Sequence, residues 1–395
     1  MPPPVSLHGS AAIVGIAELA PSKEPPADDD LDVMAGLVAD VLADAGLDHG
    51  DVDGLFAVPP RRTMFFPSLL SEHLGLRPSV GEVVDLGGAS AAGMVWRMAA
   101  SIASGMCKVA VGVLASPGRR ARGDRPRNTD RTRPPLGLSE YEAPFGPMGV
   151  NSAYALAARR HMHEFGTTSA QLAKIAVDQR TNALANPMAL YGTEPITVDD
   201  VLSSRMIVDP LHLLEIVRPC SGGAAFVMVH PDVAHASRSH RPAWLLGAGE
   251  RIGHNSASFA PTLTTSPVAE SAPMAFAMAG VTPAEIDLVS AYDCYTIMVL
   301  LTLEDAGFCA KGHGGRFVEE HDLTYRGDLP VNTHGGQLSF GQAGIAGGAS
   351  HVTEAVRQLR GEAGDRQLPR CDLAFVNGNG GTMSEEVSLV LGGRS

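Results

Sequence analysis

The chain has 395 residues, a formal net charge of −13, a pI near 5.5, 45% hydrophobic and 18% charged residues. That length carries a large core, as two domains or one duplicated domain, and the acidic balance excludes a general nucleic-acid binder, which needs a basic face. The five cysteines (Cys107, Cys220, Cys294, Cys309, Cys371) form no CxxC pair, so no metal site is expected and a reducing, cytoplasmic setting is; neither a leader peptide nor an apolar run of membrane-spanning length is expected.

In chain order, the first clear unit is LVADVLADAGLDHGDVDGLFAVPP, from Leu37 to Pro60. It reads as an amphipathic helix, a glycine C-cap, a short polar turn and a strand. VVDLGGASAAGMVWRMAASIASGM follows from Val83 to Met106, a strand, a glycine turn and a small-residue helix, with Gly88, Ala89 and Ser90 at the tip. Next comes an arginine-rich stretch, with Arg119, Arg120, Arg122, Arg125, Arg127, Arg131 and Arg133 in an otherwise acidic chain. It suits a phosphate or an acidic partner as well as it suits a solvated loop. SAYALAARRHMHEFG and SAQLAKIAVDQRTNALAN then read as helices, and CSGGAAFVMVHPDVA as a returning strand.

The second half repeats the first. APMAFAMAGVTPAEIDLVSAYD (Ala272 to Asp293) has the helix, Ala-Gly, polar turn and strand of the Leu37 unit. PVNTHGGQLSFGQAGIAGGASHVTEAVRQLRG, followed by CDLAFVNGNGG, repeats the strand, glycine turn, helix and strand of the Val83 unit. The expectation is an α/β fold built by duplication, with residues 1–240 as one half, an insertion at about 118–220 inside it, and 241–395 as the other.

These stretches, with DVDGLF, ITVDDVLSSRMIVDPLHLLE, LEDAGFCAKGHGGRFVEE and LPVNTHGGQLSFGQAGIAGG, resemble the thiolase superfamily over essentially the whole chain, most closely its lipid-transfer, sterol-carrier-protein-thiolase branch. The resemblance implies a duplicated five-layered αβαβα fold with an inserted loop domain. It implies acyl-CoA as substrate, so that coenzyme A arrives as part of the substrate and no permanently bound cofactor is needed. It further implies a homodimer and a small OB-fold/zinc-ribbon partner protein. Arg159, Arg160 and the Arg119–Arg133 stretch become candidates for the CoA phosphates.

The reactive positions of a thiolase carry other residues in this chain. The nucleophilic cysteine, which a helix N-terminus activates, falls at Gly88. The Asn or His of the next motif falls at Tyr292 in YDCY, the C-terminal histidine at Gln342, and the second cysteine at Asn377. Ser90 reads as a cap or packing residue, since a serine without a base is a poor nucleophile. Backbone donors for a thioester oxygen remain at Gly335-Gly336 and Gly380-Gly381. Some relatives in this branch act as aldolases on CoA thioesters of steroid side chains; the chain resembles them in AYDCYT and NTHGGQL and departs at Gln342, where they carry a tyrosine. The expected chemistry is aldol-type cleavage or formation of a carbon–carbon bond on a β-hydroxyacyl-CoA, with Tyr292, Asp293, His334 and Gln342 as candidate catalytic residues. An unusual acyltransferase and a non-catalytic acyl-CoA-binding subunit are the alternatives.

Overall fold

A computed structural model of the protein describes residues 6–26, 28–60, 63–116, 141–146, 149–236 and 239–394. The arginines from Arg119 to Arg133 lie outside the described residues. The chain begins β1 (Ala12–Ser22), α1 (Asp30–Ala45), β2 (Gly54–Val58), α2 (Phe66–Leu74), β3 (Val80–Val83), α3 (Ser90–Ala103) and β4 (Val109–Ser116). Then come α4 (Val150–Phe165), α5 (Ser169–Leu184), α6 (Val198–Ser203), the short pair β5 (Met206–Val208) and β6 (Leu211–His212), β7 (Ser221–Val229) and α7 (Pro231–Ala236). The remainder is β8 (Ala243–Ile252), α8 (Val268–Ala279), β9 (Leu288–Ser290), α9 (Thr296–Asp305), α10 (Gly314–Glu320), α11 (Gly336–Ser339), α12 (Ala349–Arg360), β10 (Leu373–Gly380) and β11 (Glu385–Gly392).

Nine strands join in the order β3-β2-β4-β7-β1-β8-β11-β10-β9. The seam between β1 and β8 is only two residue pairs long, Ala12–Trp244 and Ile13–Ala243. On either side of it lies one leaf of the sheet, and α3 and α12 pack against strands of both leaves at once. They form the middle of five layers, with α1 and α2 outside the first leaf and α8 outside the second. The residues explain this placement. Helix α3 is apolar nearly all round, so it can sit between two sheets, as a surface helix cannot. Met94, Val95 and Met98 of α3 share one buried cluster with Val352, Val356 and Leu359 of α12, with Phe56 and Phe226 from the first leaf and Val376 and Leu389 from the second.

The duplication read from the sequence is present. Helices α1 and α8 both end at a glycine in the left-handed region, Gly46 (φ 67°) and Gly280 (φ 71°). Each is followed by a 3-10 turn and a strand that pairs in parallel with its neighbour, β2 with β4 and β9 with β10. One expected strand does not form. In PVNTHGG only Val331 bridges to the sheet, at Val289. Asn332 has φ 53°, and its side chain accepts from the Ala291 N–H at 2.8 Å and donates to the Ala291 carbonyl at 2.9 Å. The amide side chain thus takes the place that a strand's backbone would have held.

Candidate active site

The turn before α3 is closed by Ser90. Its hydroxyl accepts from the Leu86 N–H at 2.9 Å and donates to the Gly87 carbonyl at 2.6 Å, and the residue is fully buried. These bonds bring Gly88 against the second leaf, where Tyr292 approaches from the end of β9. A Cβ on Gly88 would overlap the Tyr292 hydroxyl and ring and lie 2.5 Å from the Asn379 carbonyl. Position 88 is therefore closed to any side chain, a cysteine included.

Gly88 and Tyr292 border a cleft of about 370 Å³, with Tyr154, Tyr295, Gln342 and Asn379 on its other sides. Tyr154 stacks on Tyr295 with ring centroids 4.2 Å apart, and the Tyr295 hydroxyl bonds to the Asn151 side chain. Asn379 Nδ2 donates to the Tyr154 hydroxyl at 2.7 Å and lies 3.5 Å from Cys294 Sγ. Burial raises the Tyr292 pKa well above the ordinary phenol range, and Cys294 adds to this; the side chains of Gln342 and Gln337 oppose it. Burial also pushes the Cys294 thiol up to about 12, so it stays protonated at neutral pH.

Behind Tyr292 lies a fully buried polar layer. Asp293 accepts from the Gln337 N–H at 2.7 Å and the Leu338 N–H at 2.9 Å, and its Oδ1 is 3.2 Å from His351 Nε2. The other ring nitrogen of His351 meets Ser290 Oγ at 3.0 Å, and the ring lies 5.9 Å from that of Tyr292. Asp293 is thus a support beneath Tyr292 and does not border the cleft.

Of the residues singled out in the sequence, Gly88, Tyr292, Gln342 and Gly381 come together at the cleft. The others sit elsewhere, each for a local reason. His334 is packed inside against Phe340 and His351, with Nε2 3.2 Å from Ser350 Oγ; burial, then the charge of His351, holds it well below the ordinary imidazole range. The Gly335-Gly336 turn directs the amides that follow it to Asp293, and a Cβ on Gly336 would meet that carboxylate. Gly380 lies within β10, against the Leu86 carbonyl. Ser90 is used by its own turn. Asn377 is buried and donates to Glu386 Oε2 at 3.0 Å; the β10 asparagine at the cleft is Asn379, two residues on. Sequence reasoning missed Asn379, Tyr154 and His351. The period-two alternation of β10 was the signal for Asn379, since Asn377 and Asn379 share one face.

The arginine candidates also move. Arg159 pairs with Asp209, and Arg160 Nε reaches Glu164 Oε1 at 2.5 Å one helical turn away. Both therefore answer carboxylates of the chain itself. A different basic group gathers around Tyr191. Arg218, between the cleft residues Val217 and Pro219, lies 3.3 Å from the centroid of the Tyr191 ring, and Lys23 lies 5.5 Å from the same centroid. Arg180 is close enough for the Arg218 charge to lower its pKa further after burial has done so. Among the described residues no group of three or more His, Cys, Asp or Glu side chains is placed to hold a metal ion.

Comparisons with known proteins give the family. Residues 249–393 match the thiolase C-terminal domain-like family. The steroid side-chain-cleaving aldolase of Thermomonospora curvata is 35% identical over 370 residues, 90% of this chain and 91% of that protein. The 17-hydroxy-3-oxo-4-pregnene-20-carboxyl-CoA lyase of Mycobacterium tuberculosis is 32% identical over 400 residues, 98% of this chain and 100% of that protein. The solved Ltp2-ChsH2(DUF35) aldolase superposes with a TM-score of 0.87 at 32% identity, covering 98% of each chain. The chain belongs to the thiolase superfamily, in its lipid-transfer, sterol-carrier-protein-thiolase-like branch.

Proposed function

We propose that this chain is a carbon–carbon lyase of CoA thioesters that cleaves a β-hydroxyacyl-CoA by a retro-aldol step centred on Tyr292. The observation that carries the reading is the Tyr292 hydroxyl seated over Gly88, where a thiolase would keep its cysteine. Acyl transfer through an enzyme thioester lacks its cysteine, because position 88 is a glycine with no room for a side chain, and burial pushes the Cys294 thiol at the cleft up to about 12. A phenol at that point serves a different step. In the aldol direction it protonates the nascent β-alkoxide, and microscopic reversibility makes the phenolate the base that takes the β-hydroxyl proton in cleavage. The Cα–Cβ electron pair then passes onto the thioester as an enolate, and Cβ leaves as a ketone or aldehyde. The Gln342 amide and the turn at Gly381 offer the enolate oxygen its donors. Lys23, Arg218 and Arg180 with Tyr191 are the basic seat for the CoA phosphates.

A steroid side-chain thioester is the substrate class that the names of the relatives favour. The solved Ltp2-ChsH2(DUF35) aldolase supports a small OB-fold/zinc-ribbon partner for this chain, and the exposed edge strand β3 suits a homodimer. The test is incubation of the chain, with and without such a partner, with a β-hydroxyacyl-CoA. Mass spectrometry reads a shortened acyl-CoA together with a ketone or aldehyde. An acyl-enzyme adduct with no carbon–carbon cleavage would overturn the reading.

A further inference from the structure

A buried carboxylic acid stands directly behind the cleft wall. Glu386 of β11 is fully buried, faces Asn379 across the strand pair, and accepts from Asn377 Nδ2 at 3.0 Å. Its other oxygen, Oε1, has no partner, and neither has the Oδ1 of Asn377 or of Asn379. Buried polar atoms without partners are few in native proteins, and a group of them on one face of two paired strands is what ordered internal water commonly satisfies. Asn379 is at once a member of this group and a wall residue of the cleft. The thread therefore runs from Glu386 to the place where the acyl group would lie. Burial first, and then the Asp305 charge, favours the neutral acid against the Asn377 hydrogen bond, and an ionised Glu386 would push the Tyr154 and Cys294 pKa values up at the cleft.

Building on the aldolase reading, we propose that Glu386 is the proton store for the enolate carbon, joined to the cleft by water held between Asn377 and Asn379. Retro-aldol cleavage leaves two proton tasks on opposite sides of the broken bond. The β-hydroxyl gives one proton to Tyr292. Cα takes one from the water, which is resupplied by Glu386. Return of the Tyr292 proton through the water of the cleft to the Glu386 carboxylate resets both groups. One proton is lost and one gained by the reacting carbons and oxygen, so no oxidant, reductant or further reactant is needed. Glu386 is a positioning residue in this scheme, because it reaches the substrate through water and Asn379.

Glu386→Gln is the informative variant. It keeps the neutral shape and the acceptor for Asn377 but has no acid proton. The readout is exchange of the α-hydrogens of a simple saturated acyl-CoA in D2O, which asks for enolate protonation without any aldol step. The expected result is about a 10²-fold fall in exchange rate, with the same concentration of acyl-CoA giving half-saturation and a melting temperature no lower than that of wild type. Glu386→Asp, which keeps an acid on a shorter arm, should recover part of the loss. Equal exchange in wild type and Glu386→Gln overturns the proposal, as does a wild type that exchanges no α-hydrogen. If the wild type exchanges α-hydrogens in a Glu386-dependent way yet cleaves no β-hydroxyacyl-CoA, the proton store stands and the lyase reading falls.

Discussion

The Tyr292 hydroxyl fills the space that any side chain on Gly88 would need. The glycine and the tyrosine are one adaptation: the glycine lets the phenol reach the mouth of the α3 turn, and the phenol makes the glycine obligatory. Gly88→Ala and Gly88→Cys are both expected to cost about 2 kcal/mol through overpacking. Neither gains acyl-transfer activity. Adding Tyr292→Phe does not rescue them, because the ring and the Asn379 carbonyl still occupy the site. Thermal unfolding and intact mass after incubation with acetyl-CoA check this.

Tyr292→Phe alone should fold normally, since the ring stays and only the hydroxyl is lost. Turnover of a β-hydroxyacyl-CoA is expected to fall by about 10²- to 10⁴-fold. The pH profile carries the sign. Burial raises the Tyr292 pKa above its ordinary value, so the phenolate needed for cleavage is scarce at pH 7. Cleavage by the wild type should climb with pH without a plateau below about pH 10, the ordinary value for tyrosine. That slope should be missing from the phenylalanine variant.

Cysteine chemistry gives a separate check. Cys294 lines the cleft but its thiol is pushed up to about 12, and Cys107 and Cys220 are pushed up to about 11. Iodoacetamide at pH 7.5 should leave activity largely intact over an hour, and Cys294→Ala should keep turnover within about tenfold of wild type. Rapid, complete loss of activity on alkylation would contradict the assignment.

The elements that bear local signals were legible in the amino-acid sequence. Gly46 and Gly280 announce helix ends, DLGGAS announces a strand-to-helix turn, and the departures at positions 88 and 292 are visible residue by residue. What could not be read depends on contacts between distant segments. His334 precedes a glycine pair, yet the fold turns it inward onto Ser350 and His351. The Asp293–His351 contact joins positions 58 apart, a separation no motif spans. The misplacement of Asn377 is a slip of two residues along one face of β10, and it is Asn379 whose position along the strand reaches Tyr154 and Cys294 at the cleft. Arg160 is the exception, because Glu164 four residues on was a readable partner.

Arg218 and Arg159 should behave differently. Arg218 stands beside the cleft on the Tyr191 ring, whereas Arg159 is engaged by Asp209. Arg218→Ala is expected to raise the KM for a CoA thioester about tenfold with kcat little changed, and to show no such effect on a pantetheine thioester that lacks the nucleotide. Arg159→Ala should change neither. Steady-state kinetics with the two thioesters separates loss of phosphate binding from loss of fold.

Glu386 makes a prediction about stability that is independent of catalysis. Its folded-state pKa lies well above the unfolded value of about 4.5 because burial penalises the carboxylate. The folded protein therefore keeps this proton to a higher pH than the unfolded chain does. The stability linked to this group is fully present below about pH 4.5 and is lost as pH rises toward the folded-state pKa. Glutamine has no such proton to keep. Glu386→Gln should accordingly be more stable than wild type at pH 7, and the difference should shrink steadily as the pH is lowered toward 4.5. Urea unfolding at pH 7.0, 6.0 and 5.0 measures it. A difference that grows toward acid pH would mean that Glu386 is ionised in the folded protein, and would remove the proton that the enolate is proposed to receive.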